Sequence, residues 1–327
     1  MITQRISKLR EKMVENNVQA YIIPTSDFHE TEYVCEYFAC RKYMSGFTGS
    51  AGVLVVLLDK AALWTDGRYF IQAANQLEGT GIDLMRMGQP GVPELDAYIV
   101  ENLKENDTVG FDGRVMNTKD ALAYKSVFDL AHLNMNVNLD LVNDVWTDRP
   151  ELPSTPTFHY SEKFAGESME SKLSRLRAFL RENKVDSIVL TSVDQIAWLY
   201  NLRAHDIPNF PVALAYSIVS LDSASIYMDA SRLDELSEKE FSKNNVTVCG
   251  YNDIYSATKA LNGLVLVDPS SVNYAIVSNL KAKPVFKESP IILWKALKNE
   301  TELKCTKWAH IKDGVAVTKF MYWLKKN

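Results

Sequence analysis

Apolar and polar positions alternate along this chain in two periods. From Thr3 to Asn16, Ile6, Leu9, Met13 and Val14 mark one face of a 3.6-residue repeat while Lys and Glu fill the other, which predicts an amphipathic helix. Val18-Gln19-Ala20-Tyr21-Ile22-Ile23 follows as a buried strand stopped by Pro24, and Val53 to Leu58 as a β-branched one. The same opening recurs far downstream. A helical stretch from Leu176 leads into Val185-Asp186-Ser187-Ile188-Val189-Leu190, placing Val18 over Val185 and Asp27 over Asp194 at an offset of 167. Leu63-Trp64-Thr65-Asp66 matches Ile226-Tyr227-Met228-Asp229 at an offset of 163. Val109-Gly110-Phe111-Asp112 matches Val265-Leu266-Val267-Asp268 at 156. Three ordered matches with a slowly shrinking offset predict a duplicated domain, not a solenoid of repeats of about 20–50 residues. Each copy reads helix, strand, strand, strand, helix, strand: an α/β layer with a mixed sheet flanked by helices.

The punctuation fits between the copies. Arg149-Pro150-Glu151-Leu152-Pro153-Ser154-Thr155-Pro156 carries three prolines, which remove backbone donors and favour extended chain. A weaker break falls near Lys281 to Pro290, where Pro284 and Pro290 flank a short strand. We therefore expect units at 1–155, 156–288 and 289–327. The last is unlike either copy. Asn299 with Glu302 forms a capping box, and Leu303, Trp308, Ile311, Val315, Phe320, Trp323 and Leu324 recur at helical spacing.

Charge narrows the function classes. The chain has 327 residues, 36 Lys plus Arg against 41 Asp plus Glu, and a net charge of −5. That mild acidity argues against nucleic acid, whose phosphates need a basic face. The 46% hydrophobic content is enough for a packed core, but the longest aliphatic run, Val53 to Leu58, is far short of the roughly 20 residues a bilayer needs. Met1 to Arg5 leads straight into the helical pattern, with no apolar signal region. Cys35, Cys40, Cys249 and Cys305 match neither a disulfide framework nor a zinc ribbon, which predicts free thiols in a reducing cytoplasm.

Four stretches offer chemistry. Three glycines in Ser45-Gly46-Phe47-Thr48-Gly49-Ser50-Ala51-Gly52 suggest a phosphate loop, but a strand follows where the dinucleotide and Walker patterns need a helix, so close backbone packing is the expectation. Trp64-Thr65-Asp66-Gly67-Arg68 is a strand ending in an Asp-Gly turn that presents Arg68, either as a carboxylate-binding guanidinium or as a surface ion pair holding the turn. His29-Glu30-Thr31-Glu32-Tyr33 starts like a zinc-protease helix, yet Tyr33 stands where the second histidine belongs. His205 beside Asp206 is a candidate proton-transfer pair or a solvated loop. No nucleophile elbow is present.

Taken together, these runs resemble a known family. Tyr21-Ile22-Ile23-Pro24, Ser45 to Gly52 and Leu63-Trp64-Thr65-Asp66-Gly67-Arg68-Tyr69-Phe70 resemble the first domain of the three-domain Xaa-Pro aminopeptidases. Asp194 to Arg203, then Asp206-Ile207, resembles the second; Ser289-Pro290-Ile291, Lys295 to Glu300 and Asp313 to Leu324 resemble the opening of the third. Ala204 stands where the family has Gly, and Phe210-Pro211-Val212-Ala213 where it has Asn-Pro-Val-Phe. The resemblance implies two creatinase/prolidase N-terminal-type domains and a stub of the pita-bread domain. It also implies a cytoplasmic, dimeric metalloenzyme that removes the residue preceding proline, with two manganese ions activating water. The family's metal ligands lie in the third domain, so this chain is expected to hold no metal, to be inactive alone, and to contribute dimerisation and substrate access. Arg68 matches the family's arginine that contacts the peptide, and is the one site residue expected here. The alternative is a non-catalytic module on the same fold that binds a protein or peptide partner.

Overall fold

The structure is a computed structural model and describes residues 1–327. Its first half holds six strands, β1 (Ala20–Pro24), β2 (Val53–Leu57), β3 (Ala61–Thr65), β4 (Asp83–Arg86), β5 (Thr108–Gly110) and β6 (Asn134–Asn136). They form one sheet in the order β4-β3-β2-β1-β5-β6. Past the linker come β7 (Phe158–His159), β8 (Ser187–Leu190), β9 (Leu202–Arg203), β10 (Tyr216–Ser220), β11 (Ala224–Tyr227), β12 (Val246–Cys249), β13 (Leu264–Val267) and β14 (Lys283–Phe286). β7 and β9 make a small ribbon, and the others a second sheet in the order β12-β11-β10-β8-β13-β14.

The two sheets have one topology. β1 is antiparallel to β2 and parallel to β5, as β8 is antiparallel to β10 and parallel to β13. β2 with β3 and β10 with β11 are antiparallel, while the outer pairs are parallel. The first sheet therefore has six strands where the hydrophobic pattern predicts four, and the second has six where it predicts five. The missed ones are edge strands; in the first sheet, Asp83-Leu84-Met85-Arg86 and Asn134-Met135-Asn136 are at most half-buried and carry no apolar run. β14 was foreseen, and its position at the edge is what lets Pro284 sit within a strand.

Successive side chains on β1 point to opposite faces, so each sheet is covered twice. Tyr21 and Ile23 pack with Leu9, Met13, Leu54 and Leu63 on one side, and Ala20 and Ile22 with Val55, Val109, Phe111 and Phe128 on the other. In the first helix, Ile2–Glu15, residues Ile6, Leu9 and Met13 are buried, but Val14 turns outward to solvent.

The halves are locked together at one joint. The Thr118 amide donates to Val272 O at 3.0 Å, the Tyr274 amide to Met116 O at 2.8 Å, and Asn117 bridges Asn273. The linker is pinned at both ends, by Arg149 on Asp140 (2.9 Å) and by Thr155 on Asp206 (2.7 Å). Beyond β14, the helix Glu300–Lys326 starts on the expected capping box, and Asn299 Nδ2 also donates to Ala165 O. Its apolar side chains, Trp308, Phe320 and Trp323 among them, are exposed. No helix is long and apolar enough to cross a membrane.

Candidate functional site

Arg68 stands just past β3 and is held by its own turn. Its backbone amide donates to Asp66 Oδ1 at 3.0 Å, Nε to Oδ1 at 2.9 Å and Nη2 to Oδ2 at 2.8 Å. The side chain is 69% exposed, so Nη1 and the outer edge of the guanidinium face solvent. Hydrogen bonds from Arg68 hold the Asp66 carboxyl down at about 2. The ion pair that holds the turn is thus present, and it leaves the remaining guanidinium donors unengaged within the chain. Tyr69 extends the site, its hydroxyl 2.6 Å from Ser50 Oγ on the glycine loop.

That loop is braced by a buried cation. Arg41 Nε donates to Thr25 Oγ1 at 2.9 Å, Nη1 to Phe47 O at 2.5 Å and Nη2 to Gly49 O. Burial pushes this guanidinium down to about 10. A Cβ on Gly49 would lie 2.2 Å from the Phe47 ring, and one on Gly52 2.9 Å from Trp64 O. The glycines therefore serve close packing, as the strand that follows them implied.

His205 and Asp206 do not form a proton-transfer pair, nor is Asp206 solvated. Asp206 is buried and takes the Arg232 guanidinium at 2.5 Å, the Thr155 hydroxyl at 2.7 Å and the Leu214 amide at 2.8 Å. Both oxygens of Asp206 are engaged, Oδ1 by Thr155 of the linker and Oδ2 by Arg232 and the Leu214 amide, while His205 points out beside Phe158. The zinc-protease reading of His29 fails as well. His29 Nδ1 lies 2.7 Å from Thr191 O, and a carbonyl only accepts, so Nδ1 carries the hydrogen. Nε2 then accepts from the Tyr251 hydroxyl at 2.7 Å. Burial lowers the pKa of this imidazole, and it serves as a neutral peg between the halves.

Two features escaped the sequence reading. Asp112-Gly113-Arg114 repeats the Asp-Gly-Arg turn of 66–68, with the Arg114 amide 2.9 Å from Asp112 Oδ1 and Nη2 2.8 Å from Oδ2. The repeated tripeptide was itself the available signal. Glu30, beside the peg, has φ +54° and a carboxyl that burial pushes up to about 7. No signal in the pattern foretold either value. The four cysteines are free, and burial pushes Cys35 to about 11 and Cys40 to about 12, which makes both poor nucleophiles. No three His, Cys, Asp or Glu side chains of this chain come together as a metal site, so its residues do not fit a two-metal centre.

Two six-stranded mixed sheets of one topology, each flanked by helices, define a duplicated α/β fold. Residues 5–138 and 148–302 each match the creatinase/prolidase N-terminal domain, and the chain belongs to that family. It is 35% identical over 368 residues to aminopeptidase P2 of Arabidopsis thaliana, covering 100% of this chain and 51% of that protein. It is 36% identical over 337 residues to a probable Xaa-Pro aminopeptidase P of Botryotinia fuckeliana, covering 99% of this chain and 51% of the relative. Among solved structures it is similar to the X-prolyl aminopeptidase of Caenorhabditis elegans, described as a cytosolic enzyme with a di-nuclear active site. That match has a TM-score of 0.93 and 31% identity, and covers 100% of this chain and 56% of the other. The chain spans about half the length of the curated relatives it matches.

Proposed function

We propose that this chain serves an Xaa-Pro aminopeptidase as its non-catalytic, substrate-admitting part. Units 1–155 and 156–288 flank the way to the reaction centre, and 289–327 leads into the metal-bearing domain. In that reading the enzyme is cytoplasmic and dimeric, and two manganese ions outside these residues activate the water that releases the residue preceding proline. Arg68 offers its free edge to a peptide acceptor. The observation that carries the reading is the similarity of all of this chain to 56% of the Caenorhabditis elegans enzyme, at a TM-score of 0.93. The exposed, pre-clamped geometry of Arg68 supports its part.

The test has two arms. The purified chain with added manganese should release no amino acid from an Xaa-Pro-Xaa peptide; release would overturn the non-catalytic role. In the metal-loaded enzyme that contains it, Arg68→Ala should raise KM about tenfold, the loss expected for one hydrogen bond to a charged group. Unchanged kinetics would remove Arg68 from the substrate path.

A further inference from the structure

The joint between the halves has two-fold symmetry. Ile23 faces Leu54 as Leu190 faces Ser217, and Ala20 sits beside Val109 as Ser187 sits beside Val265, so the strands of one copy map onto the other. On that mapping, Met116, Asn117 and Thr118 correspond to Val272, Asn273 and Tyr274. The two joint hydrogen bonds, Thr118 to Val272 and Tyr274 to Met116, exchange under it, and Asn117 meets its own counterpart. Both asparagines also cap the helix that follows. Such a contact is isologous, as in a homodimer, and each surface should meet its partner in the same way twice.

One pair of surfaces breaks the rule. In the second copy a crevice lies at the carboxyl end of β8, beside the start of β10 and the loop after β13. Phe28 and His29 of the first copy fill it: the imidazole bonds Thr191 O and packs 4.5 Å from the Tyr216 ring, and Phe28 O accepts from Asn273 Nδ2 at 3.0 Å. The corresponding crevice of the first copy receives no segment of the chain. The residues that symmetry would send there, Gln195 and Ile196, are wound into the helix Val193–Leu199 and buried in their own half. What remains is a cleft of about 260 Å³ that includes Thr25, Ser26, Glu30, Asn117, Asp120 and Tyr124 in its wall. It opens at the carboxyl ends of β1 and β5, where the connections switch sides of the sheet, the usual place for a ligand in such folds.

We propose that this cleft binds an imidazole group. In the filled twin the equivalent place is taken by a histidine ring. The walls differ in charge, because no Lys or Arg lines the cleft while Glu30 and Asp120 do. It therefore suits the protonated ring, whose two N–H groups both donate. Asp27 and Asp120 face Glu30, Ser26 and Asn117 hydrogen-bond it, and its carboxyl ionises near 7.

Amide NMR of the full chain tests this with three probes: 4-methylimidazole, acetyl-Phe-His-amide and n-butylammonium. The Thr25, Ser26 and Asn117 amides should shift with 4-methylimidazole at a Kd on the order of 1 mM, a fair affinity for six heavy atoms. Binding of acetyl-Phe-His-amide, whose ring has the histidine pKa of about 6.5, should peak between that value and that of Glu30 near 7, and fall on either side. Glu30→Gln should weaken it about tenfold, and Asp120→Asn, at an exposed position, less. Tighter binding of the dipeptide amide identifies a histidine-bearing peptide as the natural source, and equal binding a free imidazole; both support the site. Absent shifts, shifts unaltered in both variants, or equal binding of n-butylammonium would overturn it.

Discussion

The same three residues, Asp-Gly-Arg, close two strands of the first sheet and do different work. Around both Asp66 and Asp112, the carboxylate takes the amide two residues on and then the guanidinium of that residue in two parallel bonds. At 66–68 nothing further touches the arginine's outer edge. At 112–114 that edge is taken: Arg114 Nη2 reaches Asp140 at 2.9 Å, Arg149 binds the same Asp140, and the guanidinium lies 4.6 Å over the Phe28 ring. The sequence motif therefore fixes how the arginine is clamped, while its surroundings decide whether it is structural or available. A clamped arginine with a free edge is pre-organised, and it has already lost the side-chain freedom that binding would otherwise cost.

The sharpest way to break this comparison is to remove each carboxylate. Asp112→Ala should cost about 3 kcal/mol, because it strands part of a buried network of two arginines and two aspartates. Asp66→Ala should leave the unfolding midpoint where it was, since that pair is exposed to water and salt. Urea denaturation of the two variants side by side decides it; equal losses would mean that burial is not what separates the turns. The glycines give a smaller contrast of the same kind. A Cβ on Gly113 would meet Val137 O at 2.9 Å and Ala275 N at 3.3 Å, both backbone atoms, whereas on Gly67 it meets only Phe70 at 3.9 Å. Gly113→Ala should cost about 2 kcal/mol by overpacking the joint, and Gly67→Ala should be near neutral. A Gly113→Ala chain as stable as the parent would show that the joint yields.

How much of this could be read beforehand follows from which forces are local. The runs of Val, Ile and Leu marked the inner strands, and the offsets of 167, 163 and 156 between the copies are the offsets of β1 with β8, β3 with β11 and β5 with β13. The capping box at Asn299 was equally plain, since its partner lies three residues away. The edge strands were not legible, because a strand paired on one side and half-exposed needs no apolar pattern. Asp206 read as a surface loop residue because the arginine that buries it is 26 residues distant, and His29 as a failed zinc ligand because its acceptor is 162 residues away. At the candidate site, the Asp66–Arg68 clamp was foreseen as one of two options, since it spans two residues. The cleft beside Glu30 was not, since three separated segments build it.

The smallest effect belongs to the joint that carries the buried turn. His29 and Glu30 are adjacent, and burial shifts them in opposite senses. The folded chain holds His29 neutral below its usual 6.5, so at pH values just under 6.5 the unfolded chain binds the extra proton and acidification costs stability. Glu30 titrates near 7 when folded and near 4.5 when unfolded, so between those values the folded chain holds the extra proton and acidification adds stability. Each slope is at most about 1.4 kcal/mol per pH unit, and below 6.5 the two oppose each other. The parent chain should therefore keep a nearly flat stability from pH 6.5 toward 5. Glu30→Gln removes one arm, and its stability should fall by about 1 kcal/mol per unit over that range; His29→Gln should instead gain on acidification. Urea midpoints at half-unit steps of pH read both slopes, and parallel curves for the three chains would show that this joint does not sense the proton. The exposed turn offers a control: between pH 7 and 5 Asp66, held near 2, stays ionised, and Asp66→Ala should follow the parent throughout.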